Sequence, residues 1–118
     1  MVIIDTSVAF KWFDKSEEDY KIARKILREH LLGNQEILIP DLFFYEITNA
    51  WSTKSALQAN EIKNNLEKIE KYSLTIVPVN FAILEKTVEF AKKFTVSVYD
   101  AIYAVLASEK KCILITAD

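Results

Sequence analysis

Short apolar runs alternate along the chain with longer segments whose apolar residues recur at helical spacing. The runs with strand character are residues 2–4, 36–39, 74–79 and 112–115, of which the third is interrupted by Pro78. Strands that alternate with helices of roughly 10 to 15 residues favour a parallel sheet covered on both faces. The pattern therefore predicts an α/β fold, a three-layer α/β/α sandwich with a central parallel sheet.

Six helices are predicted from periodicity and from residues that commonly start or end helices. Their start signals are the Asp5-Thr6-Ser7 turn for a helix over 6–14, a capping box at 16–19, Asp41 for a helix reaching about Thr53, a second capping box at 55–58, Asn80 and Ser97. Gly33, the single glycine, is placed to end the second helix in a left-handed conformation.

The length of 118 residues fits one domain over 1–118, and no repeat or linker divides it. The lone cysteine, Cys112, has no intramolecular partner, and we interpret it as a small buried hydrophobe in a reducing cytosol. The apolar stretches of the chain are far shorter than the ~20 residues that cross a bilayer, and residues 1–5 lack the features of a signal peptide. We therefore expect a cytoplasmic protein.

The net charge of −2 and the pI near 5.5 provide no global basic field, so any polyanion must be bound locally. Lysines available for such contacts are Lys11, Lys15, Lys54, Lys92, Lys93, Lys110 and Lys111. A lysine beside an acidic neighbour is more often solvated surface, which is the alternative interpretation.

Four carboxylates lie where predicted strands end or helices begin: Asp5, Glu46, Asp100 and Asp118. Each has a simpler explanation when considered alone. Asp5 suits a helix N-cap, Asp100 favours a helix macrodipole, and Asp118 suits solvent. Because parallel strands bring their carboxyl ends to one edge of a sheet, we expect all four acids to converge there.

Glu46 is the most informative of these acids, because its own helical face carries Leu42, Phe43, Asn49 and Ala50. An unpaired charge in an apolar setting costs several kcal/mol or raises its pKa, so a metal, a cation or a substrate donor is expected beside it. A buried salt bridge or an acid that reaches solvent is the alternative.

The opposite face of the same helix carries Phe44, Ile47 and Trp51, which indicates either an outward interface or burial beneath neighbouring helices.

A cluster of carboxylates is unstable unless cations occupy it, since two unit charges ~4 Å apart repel by roughly 4 kcal/mol at an effective dielectric of 20. Oxygen-only ligands favour Mg²⁺ or Mn²⁺ over zinc, and the lone His30 on the second helix also argues against zinc. The sequence therefore predicts a magnesium or manganese site.

Four segments together resemble PIN-domain nucleases, and VapC-like toxins in particular. They are Val2-Ile-Ile-Asp5-Thr-Ser, Leu42-Phe-Phe-Tyr-Glu46-Ile-Thr-Asn49, Tyr99-Asp100-Ala-Ile-Tyr-Ala-Val-Leu-Ala107 and Leu114-Ile-Thr-Ala-Asp118. The resemblance covers essentially the whole chain. It implies hydrolysis of RNA phosphodiester bonds at an acidic pocket that holds Mg²⁺ or Mn²⁺.

The resemblance also implies residue roles and partners. Asp5, Glu46, Asp100 and Asp118 would be the catalytic metal ligands, while Thr6, Ser7, Asn49 and Thr116 match supporting polar positions. A homodimer is expected, together with an antitoxin whose peptide blocks the pocket. Family members usually continue past the final acid through another helix and strand, so that edge of the sheet is expected to be missing here.

Two other classes start from similar features. Aspartyl-phosphate phosphatases also begin with a strand, an Asp and a helix, but they need a second Asp where this chain has Ser7. A receiver-type phosphoacceptor or a catalytically silent binding module is the non-enzyme alternative, because a cluster of acids can bind metal without cleaving anything.

Overall fold

A four-stranded sheet crosses the middle of the molecule, and residues 75–76, 37–39, 2–4 and 113–115 form its strands in that spatial order. The structure is a computed structural model that describes residues 1–118. Its strands are β1 (Val2–Ile4), β2 (Ile37–Ile39), β3 (Thr75–Ile76) and β4 (Ile113–Ile115). Every neighbouring pair is parallel, and Val2 lies opposite both Ile37 and Ile113. The carboxyl ends of the strands therefore share one edge.

Six α-helices connect and flank these strands. They are α1 (Thr6–Phe10), α2 (Tyr20–Leu31), α3 (Leu42–Thr53), α4 (Ala59–Tyr72), α5 (Phe81–Phe94) and α6 (Val98–Glu109), and a 3₁₀ turn follows α1 at Lys11–Phe13. The predicted α/β/α sandwich with a parallel central sheet is confirmed. None of the helices is both long enough and apolar enough to span a membrane.

The two faces of the sheet support separate apolar cores. Side chains alternate along a strand, so Val2 and Ile4 enter a larger core built with α1, α2, α3 and α4. Ile3 points the other way, into a smaller core that includes Leu38 and Leu106. Burial on both faces explains why the strands are continuous apolar runs rather than alternating ones.

Three predicted helix boundaries are confirmed. Asn80 caps α5 by accepting the N–H of Ile83 at 2.9 Å, and Ser97 caps α6 by accepting the N–H of Asp100 at 3.0 Å. Gly33 has φ 79°, the left-handed conformation expected after α2.

Both predicted capping boxes are wrong. Ser16 bonds to Asp14 instead, through its N–H at 2.9 Å and its hydroxyl at 2.6 Å, and α2 begins only at Tyr20. Ser55 donates to the carbonyl of Trp51, and the real capping box is formed by Gln58 and Glu61 at the start of α4. In each case the serine hydroxyl has a nearer partner in the preceding turn.

Other predicted boundaries shift as well. Asp41 precedes α3 as expected, but its side chain caps nothing. The helix predicted over 6–14 ends at Phe10 and tightens into the 3₁₀ turn. The third strand has only two residues. The N–H of Val77 still donates a hydrogen bond to the carbonyl of Ile39 at 2.7 Å, but the pairing ends there, because Pro78 has no N–H to donate.

The face of α3 that carries Ile47 and Trp51 is covered by the larger core, where their exposed fractions are 0% and 1%. The outward interface considered for this face is therefore wrong, and burial beneath neighbouring helices is correct. Cys112 is half-buried and lies just before β4, not inside it.

Candidate active site

Asp5 leaves β1 at the carboxyl edge of the sheet and caps α1. Its Oδ1 accepts the N–H of Ser7 at 3.1 Å and also the Ser7 hydroxyl. The carboxylate is half-buried and held by two donors on one oxygen. Two hydrogen bonds to Oδ1 leave Oδ2 for another partner.

Ser7 joins this turn to the segment that follows β4. Its Oγ accepts the N–H of Ala117 at 2.9 Å and lies 3.4 Å from Oγ1 of Thr116, which in turn accepts the N–H of Asp118 at 3.2 Å. The Asp5 backbone N–H also reaches the carbonyl of Ile115 at 3.4 Å. The predicted polar residues Ser7 and Thr116 therefore connect the Asp5 turn with the Asp118 turn.

Glu46 lies on α3, half-buried, and its Oε1 accepts a 2.5 Å hydrogen bond from the hydroxyl of Tyr103 on α6. Burial raises the pKa of Glu46 above its ordinary value, while the Tyr103 hydrogen bond acts in the opposite direction. The sequence predicted that this carboxylate would need a partner. Its partner within the chain is a phenol, not a cation.

Asp100 lies in the first turn of α6, exposed, three residues before Tyr103. The charges of Asp100 and Asp5 both contribute to the raised pKa of Glu46, after its burial. The same two charges also raise the pKa of Tyr103, whose main causes are burial and the bond to Glu46. Three of the four predicted acids are thus close enough to act on one another electrostatically.

The donor chemistry of this group suits a hard cation. The chain has two ion pairs, Lys11 with Glu17 and Lys86 with Glu109, so none of the four predicted acids forms an ion pair with a lysine or arginine. Carboxylate oxygens are the ligands that Mg²⁺ and Mn²⁺ prefer. At the same time, no three Asp, Glu, His or Cys side chains stand together in a ready-made metal cage. The fit is therefore one of chemistry and charge, not of a preformed cage.

Asp118 is exposed and lines a neighbouring open groove of about 330 Å³ between α1 and α3. The other residues that line the groove are Thr6, Ser7, Phe10, Lys11, Glu17, Ala50, Lys54 and Ala117. Asp5, Glu46 and Asp100 do not line this groove. The Ser7 hydrogen bonds are the connection between Asp118 and the other three.

The remaining supporting residues are placed differently. Thr6 is half-buried in the groove wall, whereas Asn49 is exposed on α3, one turn beyond Glu46. Sequence reasoning missed Tyr103. The sequence contained an indication of its role, because a tyrosine three residues after Asp100 on a helix lies on the same face as that acid.

The sequence matches the PIN domain family over residues 2–118. The chain belongs to the PIN domain family. Membership indicates a nuclease in general. None of the curated proteins matches this PIN domain in sequence.

Solved structures similar to this PIN domain include a toxin-antitoxin complex from Klebsiella pneumoniae, with a TM-score of 0.73 and 17% identity over 100% of this chain and 87% of that chain. They also include VapC20 of Mycobacterium tuberculosis, a sarcin-ricin loop cleaving toxin, with a TM-score of 0.76 and 11% identity over 100% of this chain and 90% of that chain. Identities this low support the shared fold alone.

Proposed function

We propose that this PIN domain is a Mg²⁺- or Mn²⁺-dependent endoribonuclease that hydrolyses RNA phosphodiester bonds, and that it acts as the toxin of a toxin-antitoxin pair. The observation that carries the proposal is the half-buried carboxylate of Glu46, whose partner within the chain is the hydroxyl of Tyr103 and which forms no ion pair with a lysine or arginine. A carboxylate in that position is stabilised in its charged form by a cation.

The proposed ligands are Asp5, Glu46, Asp100 and Asp118, which hold the cation directly or through water. A divalent ion bound there supplies Lewis-acid stabilisation of the phosphate and a lowered pKa for water. No histidine is needed as a general base, and the only one, His30, bonds instead to the backbone of Ile37.

The chain's own side chains set the orientation of these acids. Ser7 holds Oδ1 of Asp5, so that Oδ2 is the oxygen left for a cation. Tyr103 holds Oε1 of Glu46, which leaves Oε2 free in the same way. Orientation by such neighbouring groups is commonly worth ten- to a hundredfold in metal affinity or activity.

The alternative is a non-catalytic metal-binding or protein-interaction module with the PIN fold. The observation that favours it is the lack of a ready-made cage among the acids. Such a module would bind a cation without cleaving RNA.

The deciding experiment is cleavage of a mixed single-stranded RNA with Mg²⁺, Mn²⁺ or EDTA. We expect cleavage with either metal, none with EDTA, and loss of at least a hundredfold in Asp5→Asn and Asp100→Asn while far-UV circular dichroism stays unchanged. Asp41→Asn is the matched control, because Asp41 is exposed and caps nothing. Metal-dependent activity that survives in both acid variants would refute the nuclease proposal.

We also propose a homodimer and an antitoxin partner, both acting in the cytoplasm. The complex from Klebsiella pneumoniae, which has the same fold, supports the antitoxin. Exposed Phe94 and Val96, at the end of α5, support an interface between two copies. Light scattering across a concentration series tests the dimer, and inhibition of RNA cleavage by a co-expressed protein from the adjacent gene tests the antitoxin.

A further inference from the structure

The groove between α1 and α3 contains Asp118, adjoins Asp5 through Ser7, and has a lysine on each of its two walls. We propose that this groove binds the backbone of the single-stranded RNA substrate, with Lys54 and Lys11 holding phosphates that flank the cleaved one. The inference rests on the proposed nuclease function. It adds the path of the substrate and the residues that hold it.

The α3 wall of the groove is formed by Ala50 and Lys54, and Glu46 lies one turn before Ala50 on the same helix. Glu46, Ala50 and Lys54 are four residues apart in turn, so they follow one face of the helix. Eight residues of helix correspond to ~12 Å. A chain that enters at the acids and follows this face therefore passes Ala50 before it reaches Lys54, which caps the end of α3.

The residues of the α1 wall follow a similar order. Ser7, which holds Asp5, lies at the end of this wall nearest the acids, and Phe10 and Lys11 follow one turn later. Phe10 is half-buried, packs against the larger core and is one of the residues that line the groove. Proteins that bind single strands combine basic groups along the backbone with aromatic rings on which bases stack. Phe10 and the two lysines provide both elements.

The groove lining carries two acidic side chains, Glu17 and Asp118, and two basic ones, Lys11 and Lys54. Asp118 lies beside Ser7, at the end where the cation is proposed. Lys54 lines the groove, is exposed to solvent and has no ion-pair partner. An unpaired, exposed lysine in the groove lining is available to a phosphate of the RNA backbone.

Lys11 is occupied in part by Glu17, whose Oε2 lies 3.8 Å from the lysine Nζ. The contact is longer than a hydrogen bond, and the lysine and glutamate side chains keep 16% and 34% of their surfaces exposed. A phosphate can therefore replace Glu17 at Lys11. Glu17 is consequently expected to oppose RNA binding, and its removal should have the opposite effect to removal of either lysine.

The test is RNA binding without cleavage, measured on the full chain in an Asp100→Asn background. A fluorescein-labelled single-stranded oligoribonucleotide is titrated at several salt concentrations and followed by fluorescence anisotropy. Lys54→Ala and Lys11→Ala should each weaken binding roughly three- to tenfold and reduce the slope of log K against log salt by about one. Glu17→Gln should strengthen binding.

Lys63→Ala and Glu67→Gln on α4 are the matched controls, since both residues are exposed and line no part of the groove. The groove is refuted if the two lysine variants and Glu17→Gln bind RNA like these controls while the parent chain still cleaves RNA with metal. A parent chain that neither binds nor cleaves RNA would refute the proposed function together with the groove. Opposite shifts for the lysine and Glu17 variants support both.

Discussion

The hydroxyl of Tyr103 donates a hydrogen bond to Oε1 of Glu46 across 2.5 Å and so joins α6 to α3. Tyr103 is only 3% exposed, and its burial raises the pKa of the phenol above the ordinary value, so it donates as a neutral group. The two residues are 57 positions apart in sequence. Glu46, one of the proposed metal ligands, is thus oriented by Tyr103 of α6, the helix that also carries the proposed ligand Asp100.

Tyr103→Phe removes this hydrogen bond with little change in shape. The expected result is a decrease of roughly tenfold in Mn²⁺ affinity, because Glu46 loses the donor that orients it. Isothermal titration with Mn²⁺ measures the effect directly. Tyr99→Phe is the control, since Tyr99 is 62% exposed beside Asp100. Equal Mn²⁺ affinity in the two variants would contradict a positioning role for Tyr103.

Glu46→Gln should stabilise the metal-free protein at neutral pH. Burial raises the pKa of Glu46 above 4.5, so the folded state holds its proton more tightly than the unfolded state. Stability from this group is therefore present at low pH and is lost as pH rises from about 4.5 through the raised pKa. The gain is expected to stay below about 1 kcal/mol, because the side chain is only half-buried.

Urea unfolding at several pH values checks this prediction. The difference between the parent chain and Glu46→Gln should grow as pH rises through that window and then level off. Added Mn²⁺ should stabilise the parent chain more than the variant, because ligand binding to the folded state raises its stability. A variant less stable than the parent chain at neutral pH without metal would contradict the assignment.

Ser7→Ala should loosen two turns at once. Its hydroxyl donates to Asp5 and accepts the N–H of Ala117, so the variant frees both. We expect roughly tenfold weaker Mn²⁺ binding and faster amide exchange at Ala117. Ser7→Thr retains the hydroxyl and should recover part of both effects. Ser52→Ala is the control, because Ser52 is exposed on α3. Unchanged amide exchange at Ala117 in Ser7→Ala would contradict the prediction.

His30 connects three parts of the fold far from the acids. Its Nδ1 accepts the N–H of Ile37 at 3.0 Å, so Nε2 carries the proton and donates to the carbonyl of Tyr72 at 2.9 Å. His30→Ala leaves both backbone groups without a partner and should lower the free energy of unfolding by about 1–3 kcal/mol.

His30→Asn retains an acceptor close to the Nδ1 position and should lose less stability than His30→Ala. Arg28→Ala, exposed on the same helix, should change little. Chemical denaturation orders the three variants, and an equal loss in His30→Ala and Arg28→Ala would rule out the structural role of the imidazole.

Gly33→Ala tests the end of α2. Gly33 has φ 79°. Its N–H donates to the carbonyl of His30, and the N–H of Asn34 donates to the carbonyl of Glu29. A Cβ at this position meets nothing within 4 Å, so the expected loss of about 1 kcal/mol is purely conformational. Gly33→Asn should lose less, because Asn tolerates this conformation better. Thermal unfolding compares the two variants.

The features predicted correctly from the sequence depend on residues close together in the chain. Asn80 and Ser97 each accept a hydrogen bond from the N–H three residues later, and Gly33 needs only its own φ angle. The capping boxes at Ser16 and Ser55 were wrong for an equally local reason. Their hydroxyls also have partners in the preceding turn, and a motif of four residues does not decide between competing partners.

The sequence by itself determined the order of elements and the parallel sheet, because apolar periodicity and strand composition are properties of short windows. Only the tertiary structure decided that Tyr103 is the partner of Glu46, that Trp51 is buried, and that Asp118 lies in a neighbouring groove. These relationships depend on how helices pack across the sheet. A hydrogen bond or a burial between residues distant in sequence is set by that packing geometry, which no local pattern contains.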